Sequence, residues 1–285
     1  MGLPRIDISF DEIVNSVLKR SRNGSMALLL KVASGSGVSV FTKSSAISGF
    51  SDTNAEFIKL AFKAGVTKLI VAKQSGDIEE ALEAIDGMEW SWLAVPQADD
   101  TEKETAAEYV KQARSNGKTY KIVLGDYENG DSEGIVNLAN SFITSDIMDV
   151  EREFTPEEYS VYIAGLLTGT ALDESLTGYE LGDVTNAEKR IDADADVDEG
   201  RLILIRGGDR YEIARAVTSL VLTNDTPAAF KKIKNVEGAD LIKQDIARIF
   251  MSLCVRTEAA KYWMMAEECR LTSIRRSINP LWKLL

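Results

Sequence analysis

The chain has 285 residues, of which 45% are hydrophobic and 27% charged, and its formal net charge is −12. This length and apolar content are sufficient for one large domain or two medium domains with their own hydrophobic cores. Because the sequence contains no histidine, it excludes Ser-His and Cys-His nucleophilic catalysis, imidazole acid–base chemistry and imidazole-bound metals.

The first segment, residues 2–10, alternates apolar and polar side chains and reads GLPRIDISF. This period of two predicts a β-strand, and an amphipathic helix is expected after it, within residues 10–20. A terminal strand without a hairpin mate is either the edge of its own sheet or an arm that joins another subunit's sheet. The apolar side chains that would form the contacts of such an arm are Leu3, Ile6, Ile8 and Phe10.

Residues 33–50 are rich in Gly and Ser but contain no phosphate-binding motif. The pattern Gly-x-x-x-x-Gly-Lys-Ser/Thr is missing, and Gly35 and Gly37 lack the third glycine of a dinucleotide-binding fingerprint. We therefore expect a loop that leads into a strand and a turn.

Between residues 54 and 169, short apolar runs alternate with helical patterns. Helices are predicted at residues 55–64, 78–85 and 101–115, and after the capping sequence TPEE at residues 155–158. Strands are predicted at residues 68–72, 90–95, 121–125, 134–138 and 141–150. Continuous apolar strands separated by helices are typical of a parallel sheet covered on both faces, so we expect a three-layer α/β domain.

Three carboxylates are candidates at strand ends, which is where α/β proteins bind ligands: Asp126 follows residues 121–125, and Asp146 and Asp149 lie around the strand predicted at residues 141–150. They are either the site of an α/β enzyme or small-ligand binder, or solvated loop acids in an acidic protein. Since no Ser-His-Asp triad can be formed without histidine, we assign no catalytic residue.

A second acidic feature opens like a calcium-binding EF-hand loop and consists of Asp192, Asp194, Asp196 and Asp198. At the sixth loop position Val197 replaces the glycine that such a loop needs, and at the twelfth Ile203 replaces the bidentate glutamate. We therefore predict no metal site, and no other cofactor is indicated.

Residues 201–246 are the most distinctive part of the chain. The apolar run at residues 202–205, the glycine pair Gly207 and Gly208, and the alternating residues after them predict a β-hairpin. Two Lys-containing segments with helical character follow, at residues 230–234 and 240–246.

The order of these segments resembles the C-terminal domain of contractile phage tail sheath proteins. In that domain a Gly-led strand precedes an Arg-x-Val-x-Ser-Leu segment, a Phe-Lys-x-Ile-Lys helix and an Asp-Leu-Ile-x-x-Asp-Ile helix, and residues 215–220, 230–234 and 240–246 resemble the last three. The N-terminal strand, the turn at residues 21–24 and the run ALLLK at residues 27–31 resemble the start of short sheath proteins from phages of Gram-positive hosts.

The resemblance spans residues 2–246 and implies a domain plan. It implies an N-terminal strand arm and helix (residues 1–22), a subtilisin-like three-layer α/β sheath domain (23–172) and a smaller α+β C-terminal domain (173–250). Residues 251–285 form a divergent tail, which contains both cysteines, Cys254 and Cys269. This tail is interpreted as an altered reading frame or degenerate copy, or as a shorter variant with a replaced C-terminal arm.

The resemblance also implies a function without enzymatic activity. Sheath subunits polymerise as stacked, hexameric rings around a tail tube, and contraction of the array drives the tube through a cell envelope. The implied partners are further copies of the chain, the tail tube protein, the baseplate and the tail terminator, in a virion tail, a phage-tail bacteriocin or another contractile injection system. Because the family's C-terminal domain faces the tube, the candidate tube contacts are Lys231, Lys232, Lys234 and Lys243.

Charge and composition bear on the remaining partner classes. Residues 201–285 contain 15 Lys and Arg and 9 Asp and Glu, whereas residues 1–200 contain 18 Lys and Arg and 36 Asp and Glu. This uneven distribution of charge either favours head-to-tail contacts between subunits or is only an uneven solvated surface. The net acidity argues against nucleic-acid binding, and no apolar run approaches the roughly 20 residues that span a bilayer. The start lacks a signal peptide and two cysteines fit a reducing compartment, so we expect synthesis in the bacterial cytoplasm.

Two alternatives to a working sheath subunit stay open. One is the α/β enzyme or small-ligand binder that uses the strand-end carboxylates. The other is a sheath remnant that folds but no longer polymerises, because the family's usual C-terminal segments are missing.

Overall fold

The computed structural model describes residues 24–43, 47–222 and 226–256. The strands are β1 (Ser25–Lys31), β2 (Gly37–Thr42), β3 (Lys68–Gln74), β4 (Trp92–Ala94), β5 (Lys121–Gly125), β6 (Ile135–Leu138), β7 (Ile143–Ser145), β8 (Arg152–Phe154), β9 (Glu180–Leu181), β10 (Val184–Ala187), β11 (Arg201–Leu202), β12 (Leu204–Gly207) and β13 (Arg210–Ile213). The helices are α1 (Asp52–Lys63), α2 (Ile78–Ile85), α3 (Asp100–Ser115), α4 (Pro156–Gly169), α5 (Ala193–Asp198) and α6 (Ile233–Arg256), with a 3-10 turn at Ala228–Lys231.

A seven-stranded sheet organises the fold, with the spatial order β11-β6-β5-β4-β1-β3-β2. All neighbouring strands are parallel except β2, which pairs antiparallel with β3 at one edge. Helices α2 and α3 lie in the crossovers from β3 to β4 and from β4 to β5, as short apolar strands alternating with helical patterns predict, whereas residues 126–134 join β5 to β6 without a helix.

Helices cover both faces of this sheet. Along β1, Met26, Leu28 and Leu30 join a hydrophobic cluster that includes α1 and α4, whereas Ala27 and Leu29 join a second cluster that includes α2 and α3. All five side chains are at most 2% exposed, since successive side chains of a strand point to opposite faces. The predicted α/β class is confirmed, and the sheet lies between two helical layers.

The start of α4 shows why the sequence TPEE ends a loop and begins a helix. The Thr155 hydroxyl accepts a hydrogen bond from the Glu158 backbone N–H, and the Glu158 carboxylate accepts one from the Thr155 N–H, both at 3.3 Å. Pro156 occupies the first helical position, where its missing N–H is not needed. Two otherwise unpaired backbone donors are thereby satisfied.

The predicted strand at residues 141–150 is wrong in its length and in its sheet. Only β7 is extended, and it lies between β10 and β8 in a separate antiparallel sheet. A turn ends β7, because the Asp149 N–H donates to the Asp146 carbonyl at 2.8 Å and Asp149 has a positive φ of 67°. That turn limits the extended segment to three residues.

The predicted hairpin is confirmed, with one correction. Strands β12 and β13 pair antiparallel, with Gly207 opposite Arg210, and Gly208 has a φ of +66° in the turn between them. The apolar run at residues 202–205, however, is divided between two sheets. Strand β11 pairs parallel with β6, while β12 belongs to a three-stranded sheet of order β12-β13-β9.

The buried side chain of Asn140 fixes the point where that run divides. Its Oδ1 accepts a hydrogen bond from the Leu204 N–H at 2.7 Å, and its Nδ2 donates to the Leu204 carbonyl at 3.1 Å and the Glu188 carbonyl at 3.2 Å. Asn140 is 0% exposed, so it replaces the ladder bonds that a continuing strand would have made.

An ion network holds the segment just before β11. Asp196 receives two hydrogen bonds from Arg190, at 2.7 and 2.8 Å, and one from Arg201 at 3.0 Å. Arg190 also donates to the Ala139 carbonyl at 3.1 Å. Hydrogen bonding from Arg190 and then from Arg201 outweighs burial and lowers the pKa of Asp196. The network therefore connects α5 and β11 to the end of β6.

The described residues as far as Glu237 form one compact unit, and those from Gly238 onward form a second. Residues on both sides of the predicted 172/173 domain boundary lie in the first unit, and the domain limits remain predictions. The two helical segments predicted at residues 230–234 and 240–246 are a 3-10 turn and a single helix, α6, which begins at Ile233. Within the described ranges, none of the helices combines the length and the hydropathy that crossing a membrane requires.

We expect the substitution Asp196→Asn to lower the free energy of unfolding by about 2 kcal/mol at neutral pH, because a neutral amide replaces the buried carboxylate that Arg190 and Arg201 share. Urea denaturation measures this loss. Asp194→Asn on the same helix, at an exposed position, is the matched control and should change stability little.

The Asp196 contribution should also depend on pH. Because its folded-state pKa lies below the ordinary value of about 3.9, the stabilisation is complete above that value and disappears as pH falls through the lowered pKa. The stability difference between wild type and Asp196→Asn should therefore shrink below about pH 3.9. A difference that stays constant down to pH 2 would contradict this account.

A second stability prediction concerns Gly125, where β5 meets the first turn of α4. A Cβ at this position would lie 2.2 Å from the Glu157 backbone nitrogen and 2.3 Å from the Pro156 carbonyl carbon. Since the obstacle is backbone, we expect Gly125→Ala to destabilise the fold by about 3 kcal/mol in thermal or urea unfolding. Gly76→Ala is the control, since a Cβ there meets nothing within 4 Å; equal effects would refute the predicted contact.

Candidate assembly surfaces

The residues assigned to a subunit-joining arm cannot be placed. Leu3, Ile6, Ile8 and Phe10 lie outside the described residues, as does the helix predicted within residues 10–20. Their role therefore stays a prediction.

Two of the four candidate lysines, Lys231 and Lys232, belong to a backbone segment that is fixed by hydrogen bonds. Lys231 ends the 3-10 turn, and its carbonyl accepts a hydrogen bond from the Thr218 N–H at 2.9 Å. Lys232 forms a bridge with Val217, and the Thr218 hydroxyl donates to the Phe230 carbonyl at 2.9 Å. The Lys232 side chain is exposed and that of Lys231 is half-buried. This stretch can therefore present two cations from a fixed position.

Lys234 has a different environment. Its ammonium group donates to the Ala171 carbonyl at 3.1 Å and to Glu237 at 2.7 Å, and its side chain is 17% exposed. The other Glu237 oxygen accepts a hydrogen bond from the Trp92 indole N–H at 3.2 Å. Lys234 thus takes part in holding the first turn of α6 against β4, and its ammonium group is already engaged within the fold.

Lys243 is exposed and lies on α6 within the second compact unit. Lys231, Lys232 and Lys234 are neighbours in the first unit, so the structure brings three of the four lysines onto one stretch and assigns the fourth to another unit.

The strand-end carboxylates do not converge. Asp126 is exposed and follows β5 in the large sheet, with a φ of 48°. Asp146 and Asp149 follow β7 in the small antiparallel sheet, where they line an open depression of about 510 Å³ with Lys63 and Asp183. Lys63 forms an ion pair with Asp149 at 3.0 Å. The site predicted for an enzyme or ligand binder is therefore two separate surface features.

The acidic run at residues 192–198 acts as a structural element. Asp192 caps α5 by accepting a hydrogen bond from the Ala195 N–H at 3.0 Å, and the Asp196 carboxylate is bound by Arg190 and Arg201. Nowhere among the described residues do three or more Cys, Asp or Glu side chains form a group that could hold a metal ion.

The structure also contains surfaces that the sequence reasoning missed. Among the described strands, β2 lies at one edge of the large sheet, and its Val40 is 48% exposed. Edge strands carry unpaired backbone groups that another strand can use. On α6, Ile242, Ile246 and Ile249 are each at least 60% exposed. The spacing of these isoleucines, four and then three residues, was the available sequence signal.

Comparison with known proteins identifies the family. The family described as phage tail sheath protein central domain matches residues 72–219. The tail sheath protein of Clostridium phage phiCD119 is 31% identical over 269 residues, which cover 90% of this chain and 74% of that protein.

Solved structures show the same fold at lower identity. The sheath tail protein of Desulfitobacterium hafniense has a TM-score of 0.71 at 15% identity, over 81% of this chain and 80% of that chain. The helical sheath of the anti-feeding prophage in its contracted state has a TM-score of 0.61 at 14% identity, over 92% and 78% of the two chains. With the family match over more than half of its length and a tail sheath protein as a relative across nine-tenths of it, this chain belongs to the phage tail sheath protein family.

Proposed function

We propose that the chain is a structural subunit of a contractile tail sheath, which polymerises around a tail tube and shortens to drive the tube through a cell envelope. The 31% identity with a phage tail sheath protein over 90% of the chain carries this proposal. The likeness of the fold to a helical sheath in its contracted state supports it.

The proposed partners follow from the same family. Further copies of the chain form stacked hexameric rings, which surround the tail tube and connect to the baseplate and the tail terminator. The assembled particle is a virion tail or a phage-like particle, made in the cytoplasm of the host bacterium. We further propose a subtilisin-like arrangement of the α/β layers and a separate C-terminal domain.

A structural role without enzymatic activity agrees with the surface chemistry. The sequence has no histidine, and the carboxylates at Asp126 and Asp146 lie on different sheets. On the described surface, the edge strand β2 and the exposed lysine Lys232 are features suited to assembly. Contraction then takes its free energy from repacking of subunits between an extended and a shorter array, a rigid-body rearrangement.

Contact with the tube is assigned chiefly to Lys231 and Lys232. The backbone that carries them is fixed to residues 216–218, so their charges are held in place before assembly, and preorganisation reduces the entropic cost of binding. Lys234 is assigned a role in the stability of the fold, because its ammonium group is already bound to Glu237 and to the Ala171 carbonyl. Lys243 stays a proposed contact on the second unit.

The double substitution Lys231→Glu and Lys232→Glu should weaken assembly around the tube, because two attractive charges become repulsive. The measurement is co-sedimentation of the purified chain with its cognate tail tube protein at low and at physiological salt. We expect a severalfold loss of pelleted protein for the variant, with the wild-type yield itself decreasing as salt rises.

The matched control is Lys59→Glu with Lys189→Glu, which reverses two exposed lysines elsewhere in the first unit. It applies the same change in net charge and should leave co-sedimentation close to wild type. If both double variants lose tube binding equally, the effect is one of net charge and the assignment to Lys231 and Lys232 is wrong.

The substitution Lys234→Glu should affect the stability of the fold, unlike the two double substitutions above. The substitution places a carboxylate beside Glu237 and removes the hydrogen bond to Ala171, so it should lower the unfolding midpoint in urea. An unchanged midpoint together with lost tube binding would move Lys234 back among the tube contacts.

A further inference from the structure

The connection between β5 and β6, residues 126–134, contains two residues with unusual backbone angles. Asp126 has a φ of +48° and Asp131 a φ of +24°. Of the three described residues other than glycine that have a positive φ, two therefore lie in this connection. A positive φ is uncommon and costly for a residue with a side chain, and it persists only where the surrounding contacts hold it. The contacts of Asp131 therefore indicate what its backbone strain serves.

Asp131 binds the segment that follows Ser219. Its Oδ1 atom accepts a hydrogen bond from the Val221 N–H at 2.8 Å and another from the Leu222 N–H at 2.9 Å. The side chains of Val221 and Leu222 are 40% and 65% exposed, so their packing does little to fix the backbone here. Hydrogen bonds to an ionised carboxylate are stronger than those between neutral groups. Asp131 therefore fixes the backbone at these two positions.

The residues on either side of Asp131 contribute to the same attachment. A Cβ at Gly130 would lie 2.4 Å from the Ser219 Oγ, so the two backbones approach closely at this point. The Ser219 hydroxyl donates to the Ser132 carbonyl at 3.2 Å and accepts a hydrogen bond from the Ser132 N–H at 3.4 Å. The β5–β6 connection thus contacts residues 219–222 from three consecutive positions.

The backbone that Asp131 binds leads in both directions to the residues that carry Lys231 and Lys232. On its N-terminal side, the Thr218 N–H donates to the Lys231 carbonyl at 2.9 Å. On its C-terminal side, only residues 223–227 precede the 3-10 turn, which Lys231 ends. A contact segment that is fixed in place before binding loses less conformational entropy when its partner binds.

We propose that Asp131 is a positioning residue for the tube contact: its two hydrogen bonds fix the segment that holds Lys231 and Lys232 in place before the tube binds. The inference rests on the proposed function, because it takes these lysines as contacts of the tail tube. Asp131 acts through the backbone, since a carboxylate beside two cations would by its charge alone weaken their attraction for a partner. Removal of this carboxylate should therefore reduce tube binding, although it makes the surface more positive.

Three variants separate the hydrogen bonds of Asp131 from its strain and its charge. Asp131→Gly loses both hydrogen bonds, while glycine accepts the positive φ without strain. Asp131→Asn retains an acceptor oxygen on a residue type that tolerates positive φ. The matched control is Asp126→Gly, which relieves strain and removes one negative charge in the same connection. Within the described ranges, the Asp126 carboxylate accepts no hydrogen bond, so this control leaves the attachment intact.

Hydrogen exchange of the full-length chain, followed by peptide mass spectrometry, measures the attachment without the tube. In Asp131→Gly we expect severalfold faster exchange in peptides that cover residues 218–222 and 228–233. Asp131→Asn and Asp126→Gly should exchange at close to the wild-type rates. Urea midpoints near that of wild type show that the variants are folded, because both aspartates are exposed. Unchanged exchange of either stretch in Asp131→Gly would overturn the proposal.

Co-sedimentation with the cognate tail tube protein then tests the positioning role. We expect the pelleted fraction of Asp131→Gly to be severalfold lower than that of Asp126→Gly, although the two variants carry the same net charge. Equal pelleted fractions would show that the attachment does not serve tube binding, and would overturn the proposal. If wild type itself does not pellet with the tube, the proposed function fails, and the exchange rates still decide whether Asp131 fixes this segment.

Discussion

Two buried polar side chains, Asn140 and Asp196, determine how the second half of the first unit joins the large sheet. Asn140 binds both backbone groups of Leu204, and Asp196 is held by Arg190 and Arg201. Together they place the two-residue strand β11 beside β6 and send the chain on into the β12–β13 hairpin. Since a strand of two residues has few ladder hydrogen bonds, these side-chain hydrogen bonds and the burial of Leu202 add to its stabilisation.

The backbone that carries Lys231 and Lys232 is bonded to residues 216–218, and residue 219 is bonded in turn to the large sheet. The Ser219 N–H donates to the Ile135 carbonyl at 2.8 Å, and the Ile233 N–H donates to the Ala216 carbonyl at 3.3 Å. The backbone of Lys231 and Lys232 is therefore connected to the large sheet through hydrogen bonds, so a force applied to these lysines is transmitted to that sheet. Such a connection suits a subunit that must rotate as a rigid body during contraction.

The sequence was informative where local patterns decide structure. Apolar runs located most of the parallel strands, the TPEE sequence located the start of α4, and Gly207-Gly208 located the hairpin turn. The prediction from sequence was wrong where a side chain distant in the sequence determines the local structure. Nothing near residues 202–205 indicates that Asn140, more than 60 positions earlier, divides that run between two sheets. The strand predicted at residues 141–150 failed for a related reason, since the turn at Asp149 depends on a positive φ that the residue type does not require.

The candidate surfaces were only partly predictable. Family resemblance pointed to the lysines at residues 231–234, but it could not show that Lys234 is bound by Glu237 and Ala171. Charge alone does not distinguish a lysine that holds the fold from one that contacts a partner. Whether the strand-end carboxylates share a site could not be predicted either, because the sequence does not show that Asp126 and Asp146 follow strands of different sheets.

If this chain, with its divergent end, is a subunit that polymerises, then the purified protein should assemble as its concentration rises. Sedimentation velocity over increasing concentration, with negative-stain imaging of the heaviest species, measures this assembly. We expect rings or tubes whose fraction grows with concentration. A folded monomer that persists at every concentration, with and without tail tube protein, would show instead a sheath fold that does not polymerise.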